Sequence, residues 1–262
     1  MQRPKVVAHR GSSMTNAEHT LGAYLAALDE GADGLECDVR LTADGHLVCV
    51  HDRDLRRTAT TEGVVSTMSL AQLEDLDFAS WKNPWADLDD EAKDMPAGHG
   101  TVLTMRTLLE TVANYPRRVE LAIETKHPTR YSGLVERRLV ELLDDFGWAG
   151  QDSPARVMSF SLTACRRVRK LAPDLDVVFL MDRHNQWPRS RPFADPNWFA
   201  GPGIKLLRRN PEWGRRIAAR TDLHVWTVNT DEDIDLCLDL GVKAIITDRP
   251  GVTQAYLDKL KI

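Results

Sequence analysis

The chain predicts a closed parallel (β/α)8 TIM barrel, and three observations carry that prediction. Eight short apolar runs alternate with longer segments of helical periodicity, the order required by a parallel sheet wrapped in helices. The chain has 262 residues, and one barrel of this kind commonly takes about 250. Charged and imidazole side chains recur at or just past the ends of the runs, first at His9-Arg10-Gly11, then at Glu36-Cys37-Asp38 and His51-Asp52. Catalytic groups in such barrels gather at the C-terminal ends of the strands.

The expected strands are 5–8, 33–39, 119–123, 156–160, 176–180, 203–206, 223–228 and 244–247, with 203–206 the most weakly marked. The expected helices are 17–30, 105–114, 134–146, 162–171, 212–220, 231–240 and 256–260. The first places Leu21, Leu25 and Leu28 on one stripe, with Gly31 as its stop. Asp231 serves as an N-cap and Gly241 as a C-cap. Two long segments interrupt the rhythm, 53–101 with Trp81, Pro84 and Trp85, and 182–202 with Trp187 and Trp198. Segments this long are usually functional or inserted, and both should lie on the barrel rim. A plain cover over apolar surface fits their composition equally well.

Composition narrows the function classes. An apolar content of 42% beside 28% charged residues fits a soluble globular chain. The net charge of −5 leaves no basic footprint for nucleic acid. No apolar run approaches the roughly 20 residues of a bilayer span. Met1-Gln2-Arg3-Pro4-Lys5 leads into only three apolar residues, too few for the core of a secretory signal, so the expected location is cytoplasmic. Cys37, Cys49, Cys165 and Cys237 are widely spaced and read as buried free thiols rather than a disulfide or zinc framework.

Glu36 and Asp38 lie two apart on a strand and so project to one face. Converging carboxylates repel unless a cation or proton lies between them, and hard divalent cations prefer oxygen ligands. Glu124 ends the third strand and completes a three-carboxylate set; Lys126, two further on, can hold phosphate as a point charge. Asp44-Gly45 signals a two-residue hairpin, which pairs Ala43 with His46 and hence Asp38 with His51. His9 offers an imidazole that works near neutral pH, Arg10 a forked donor for phosphate oxygens, and Trp226 an indole wall for a small polyol. Taken singly, each has a plainer reading. The carboxylates can be a solvent-facing strand end, Glu124 and Lys126 a surface pair, the histidines strand ends and Trp226 core.

Taken in order, these pieces resemble the glycerophosphodiester phosphodiesterase family. The likeness runs through His9-Arg10-Gly11, Ala17-Glu18-His19-Thr20, the stretch 31–39, Thr42-Ala43-Asp44-Gly45, Val50-His51-Asp52, Ile123-Glu124-Thr125-Lys126, Trp226-Thr227-Val228-Asn229 and Ile246-Thr247-Asp248-Arg249-Pro250. It implies one barrel domain over 1–262, with a small insertion after the second strand at about 53–101. It also implies a divalent cation, Mg2+ or Ca2+, on Glu36, Asp38 and Glu124, with His9 and His51 as an acid/base pair and Arg10 and Lys126 on phosphate. The chain departs from the family where His19 replaces an Asn and Ala17 a Pro, and in a longer segment between Gly11 and Glu18. The expected reaction is hydrolysis of a small-molecule glycerophosphodiester to glycerol 3-phosphate and an alcohol. Two rivals are a lysophospholipase D with an apolar rim of Trp81, Trp85, Trp187 and Trp198, and a non-catalytic phosphodiester binder.

Overall fold

In the computed structural model, which describes residues 3–83, 85, 100–127, 130–131, 133–186 and 198–262, parallel strands form one sheet wrapped by helices. The strands are β1 (Lys5–His9), β2 (Gly34–Leu41), β3 (Leu47–Cys49), β4 (Glu120–Thr125), β5 (Ala155–Ser159), β6 (Val177–Met181), β7 (Trp198–Pro202), β8 (His224–Val225) and β9 (Ala244–Thr247). Their spatial order is β7-β6-β5-β4-β2-β1-β9-β8, with β3 paired to β2 outside that path. Parallel bridges Ala200↔Leu223 and Gly203↔Trp226 join β7 to the β8 segment and close the ring.

Alternation along each strand separates two environments. Val6, Ala8, Leu35, Cys37, Val39, Leu121, Ile123 and Val157 face outward, into the large core shared with the helices. Val7, Ala122, Met158, Val178, Leu180, Ala244 and Ile246 fill the barrel interior as a separate cluster. Continuing the inward parity toward the C-terminal strand ends gives His9, then Glu36 and Asp38, then Glu124. On β1, β2 and β4 the apolar plug thus gives way to a polar floor within one residue pair.

The helices that hold this wall are α1 (Leu21–Asp29), α2 (Leu70–Glu74), α3 (Met105–Ala113), α4 (Leu134–Asp145), α5 (Leu162–Leu171), α6 (Ile204–Arg209), α7 (Pro211–Ala218), α8 (Asp231–Asp239) and α9 (Pro250–Lys259). Several sequence expectations are corrected here. Residues 204–206 open α6, and the strand before it is β7, starting at Trp198. Its residues Trp198-Phe199-Ala200-Gly201-Pro202 hide a strand signal behind a Gly and a Pro. Helix α1 begins at Leu21 rather than 17, because His19 takes a positive φ of 61° and Thr20 is the N-cap, accepting from Ala23 N. The N-cap of α8 is Thr230, with Asp231 inside the first turn, and α9 starts at Pro250, well before 256.

The β2–β3 hairpin is also one residue out of the expected register. Val39 pairs with Cys49 and Leu41 with Leu47, so Thr42 meets His46 across a three-residue loop. Gly45, at φ 89°, supplies the left-handed residue of that loop. Val50, not His51, therefore lies opposite Asp38 and donates to its carbonyl at 3.0 Å.

Gly11 fixes the turn after β1. It has φ 87°, and a Cβ there would sit 2.6 Å from the Ala23 carbonyl carbon and 2.7 Å from its oxygen. Both facts act against any side chain. Gly11→Ala is expected to cost about 2 kcal/mol or more in denaturant unfolding; an unchanged midpoint would show that the turn does not depend on this residue.

Candidate active site

Two registers build the centre. His9 pairs with Glu36 across β1 and β2, and Asp38 pairs with Glu124 across β2 and β4. All four face inward, so two neighbouring strand pairs deliver one imidazole and three carboxylates to one spot. One oxygen from each of Glu36, Asp38 and Glu124 lies within 4.8 Å of the others, and all three residues are buried.

This charge is held against strong opposition. Burial and the Asp38 charge push the Glu36 carboxyl up, and burial and Asp38 push Glu124 up to about 8. Asp38 moves the other way. Although burial opposes its ionisation, the His19 hydrogen bond and the Lys126 and Arg10 charges hold it well below the usual carboxylate range. Lys126 Nζ lies 2.8 Å from Glu124 Oε1 and 3.2 Å from Asp38 Oδ1, and Arg10 Nε lies 3.1 Å from Asp38 Oδ2. Neutral His19, its pKa lowered by burial, donates from Nε2 to Asp38 Oδ2 at 2.9 Å and meets the Tyr24 hydroxyl through Nδ1 at 2.8 Å. The backbone N of Arg10 donates to Glu36 Oε2 at 3.2 Å.

The donor set fits a hard divalent cation. It consists of oxygens alone, and buried Asp38 Oδ1 accepts no well-aligned hydrogen bond, only the Lys126 ion pair at 3.2 Å. This triad supports a divalent cation bound at the three acids.

The two sequence-predicted histidines carry matching supports. His9 Nδ1 donates to Asp248 Oδ1 at 2.6 Å, and its Nε2 faces Glu36 Oε2 at 4.0 Å. Asp248 also accepts from Asn229 Nδ2 at 2.5 Å and Ser13 Oγ at 3.1 Å. Burial alone would raise its carboxyl, but these bonds, led by His9, hold it down to about 2. His51 Nδ1 donates to Asp52 Oδ1 at 2.7 Å. Burial pushes His51 down to about 4, with Arg10 and Lys126 adding to the effect and Asp38 and Asp52 opposing it. Arg40 Nε and Nη2 pin the His51 carbonyl at 3.0 and 2.7 Å.

His9, Arg10, Glu36, His51, Glu124, Lys126 and Trp226 all line one cavity of about 150 Å³. Met158, Phe160, Leu180 and Ile246 complete it as an apolar wall. Trp226 donates from Nε1 to the Gly201 carbonyl at 2.8 Å and meets the Phe160 ring edge-on at 5.2 Å. Of the four tryptophans expected on the rim, Trp198 is instead buried at the start of β7, the far end of the barrel, because it packs in the outer core. Trp187 lies outside the described residues. Trp81 is half-buried, and Trp85 is 69% exposed.

The sequence reading assigned no role to Asp52, Glu18, Arg57 or Asp248. Asp248 had a usable signal, since it continues the inward parity of Ala244 and Ile246. Arg57 had none, as it reaches Glu18 and Asp52 from 39 and 5 positions away.

Comparison with known proteins gives one consistent family. Residues 9–252 match the sequence model of the glycerophosphoryl diester phosphodiesterase family. The chain is 45% identical over 260 residues to the Mycobacterium tuberculosis protein named "Probable glycerophosphodiester phosphodiesterase 1", covering 97% of this chain and 93% of that one. A Bacillus subtilis glycerophosphodiester phosphodiesterase is 32% identical over 252 residues, covering 94% and 84%. The solved structure of an Oleispira antarctica phosphodiesterase, in complex with the product sn-glycerol-3-phosphate, superposes with a TM-score of 0.80 at 25% identity over 97% of both chains.

The site makes a pH prediction. Glu124 moves from 4.5 to about 8 on folding, so between these values the folded chain keeps a proton that the unfolded chain has lost. Cation-free protein therefore loses stability as pH rises through that window. Cation uptake at pH 7 must expel the proton. Calorimetric titration with Mg2+ in two buffers of different ionisation enthalpy should show net proton release at pH 7 that fades above about pH 9. Equal heats in both buffers at pH 7 would mean that Glu124 is already ionised. By match and by architecture, the chain belongs to the glycerophosphoryl diester phosphodiesterase family.

Proposed function

We propose that this enzyme is a phosphoric diester hydrolase that cleaves glycerophosphodiesters to glycerol 3-phosphate and an alcohol. The single observation that supports it most is one small cavity lined by two carboxylate-backed imidazoles, two cations, Glu36 and Glu124, with Asp38 buried within reach of both acids. Its volume of about 150 Å³ suits a phosphorylated three-carbon polyol, well below the roughly 300–1,000 Å³ of larger-ligand pockets.

In this reading Glu36, Asp38 and Glu124 hold the cation, Mg2+ or Ca2+. When bound, the cation supplies charge neutralisation at the phosphate oxygens. Arg10 and Lys126 bring the remaining positive charge to the phosphoryl group. Trp226 and Phe160 form the face against which the glycerol carbons rest.

His51 takes the proton from the attacking hydroxyl. An imidazole held near 4 is neutral at pH 7, the form a base requires. Asp52 fixes Nδ1–H, which leaves Nε2 free to accept. The acid role then falls to His9, whose Nε2 faces the acidic floor and whose Nδ1 is backed by Asp248. Asp248 fixes the tautomer and offsets the charge of the imidazolium, as in the Asp–His pairs of other hydrolases. We also read 1–262 as one barrel domain with a small insertion at about 53–101, of which 84 and 86–99 lie outside the described residues.

The test is release of glycerol 3-phosphate from glycerophosphocholine, with the same enzymes assayed on a p-nitrophenyl phosphodiester. His51→Ala is expected to lose about 10²–10⁴-fold on both substrates. His9→Ala should lose as much on the choline ester but far less on the p-nitrophenyl ester, whose leaving group needs no proton. Both variants should retain the cation. Equal losses on both esters for His9→Ala would remove its acid role, and no release by the unaltered protein would remove the hydrolase reading.

A further inference from the structure

We propose that Arg57 is a positioning residue that holds both the His51 base and the Arg10 phosphate donor in place through one guanidinium; this rests on the hydrolase reading above. Arg57 does not line the cavity. Its Nε donates to Asp52 Oδ2 at 2.6 Å, while Nη1 and Nη2 donate to Glu18 Oε2 and Oε1, each at 2.7 Å.

Each carboxylate passes the restraint inward. Asp52 uses its other oxygen on His51 Nδ1 at 2.7 Å. Glu18 Oε1 also accepts from Arg10 Nη1 at 3.1 Å. A continuous chain therefore runs His51–Asp52–Arg57–Glu18–Arg10, joining the segment after β3 to the loop after β1. The backbone brings Glu18 back to the site by the bond from His19 N to the Arg10 carbonyl, 3.1 Å.

The restraint has an electrostatic side. Burial opposes ionisation of Glu18, yet the Arg57 bond, and next the Arg10 charge, hold it at about 2. Asp52 is likewise lowered against its own burial, by Arg57 first and His51 second. Both acids are thus fixed as acceptors. Without Arg57, Asp52 loses the partner that keeps its second oxygen turned from the imidazole, and Glu18 is free to follow Arg10 away from Asp38.

Lysine cannot replace this group. The three bonds use three N–H directions of one planar fork, whereas an ammonium is a single point charge on a flexible stem. The Trp81 ring, with the Arg57 guanidinium carbon 5.7 Å from its centroid, supports the plane from the rim segment. The Arg57 side chain is 41% exposed, so its removal leaves no cavity in the core.

The experiment compares the unaltered enzyme with Arg57→Lys and Arg57→Ala by steady-state kinetics on glycerophosphocholine, thermal melting and long-range 1H–15N NMR of the His51 ring. Loss of supporting partners of this kind typically costs about 10–100-fold in activity. The expected result is a fall in kcat of that size in both variants, with little change in melting temperature. Millimolar guanidinium should partly restore Arg57→Ala but not raise the unaltered enzyme. The NMR signature should change from a single Nδ1–H tautomer of His51 to a mixture. Unchanged kcat with an unchanged tautomer overturns the proposal, as does a loss of kcat that follows melting and resists guanidinium. If the unaltered protein releases no glycerol 3-phosphate, the hydrolase reading fails, while the tautomer comparison still decides the role of Arg57 on its own.

Discussion

Three buried carboxylates in one place govern the rest of this molecule. Glu36, Asp38 and Glu124 meet because β2 and β4 pair in parallel with Asp38 beside Glu124, and because residues two apart share a strand face. Burying like charges is costly unless they are neutralised or paired. The structure answers with Lys126 across Asp38 and Glu124, and with Arg10 and His19 on the far oxygen of Asp38. The unusual turn after β1 follows from that demand. Positive φ at Arg10, Gly11 and His19 bends the chain so that Arg10 and His19 both reach Asp38.

Around this floor the site repeats one device, a histidine fixed at Nδ1 by an aspartate. His9 and Asp248 come from opposite ends of the chain, joined where β1 pairs with β9. His51 and Asp52 are sequence neighbours. The supports behind the two aspartates differ in charge. Asp248 is backed by an amide and a hydroxyl, Asp52 by a guanidinium. The neutral backing leaves Asp248 its full charge for an imidazolium, whereas the Arg57 cation offsets that of Asp52.

Much of this was legible in the chain because strand alternation is a local rule. Glu36 with Asp38, and Glu124 with Lys126, needed only a spacing of two at the end of an apolar run. The hairpin shows where local rules slip. Asp44-Gly45 marked the turn, but Gly45 closes a three-residue loop, and the register moved by one. His51 still reaches the cavity because Arg40 holds its carbonyl. Strand β7 was misplaced because Gly201 and Pro202 look like a turn, while Trp198 looked like a rim residue. Arg57 could not be found by periodicity, since its partners are set by how the loop after β1 folds against the segment after β3.

The carboxylate centre is tested most directly by diffraction from crystals soaked in Mn2+, collected at the manganese absorption edge. The account predicts one anomalous peak in the barrel, bonded to an oxygen from each of Glu36, Asp38 and Glu124, at about 2.0–2.6 Å for a hard cation. A peak elsewhere, or no peak in that pocket with all three carboxylates ordered, would contradict it.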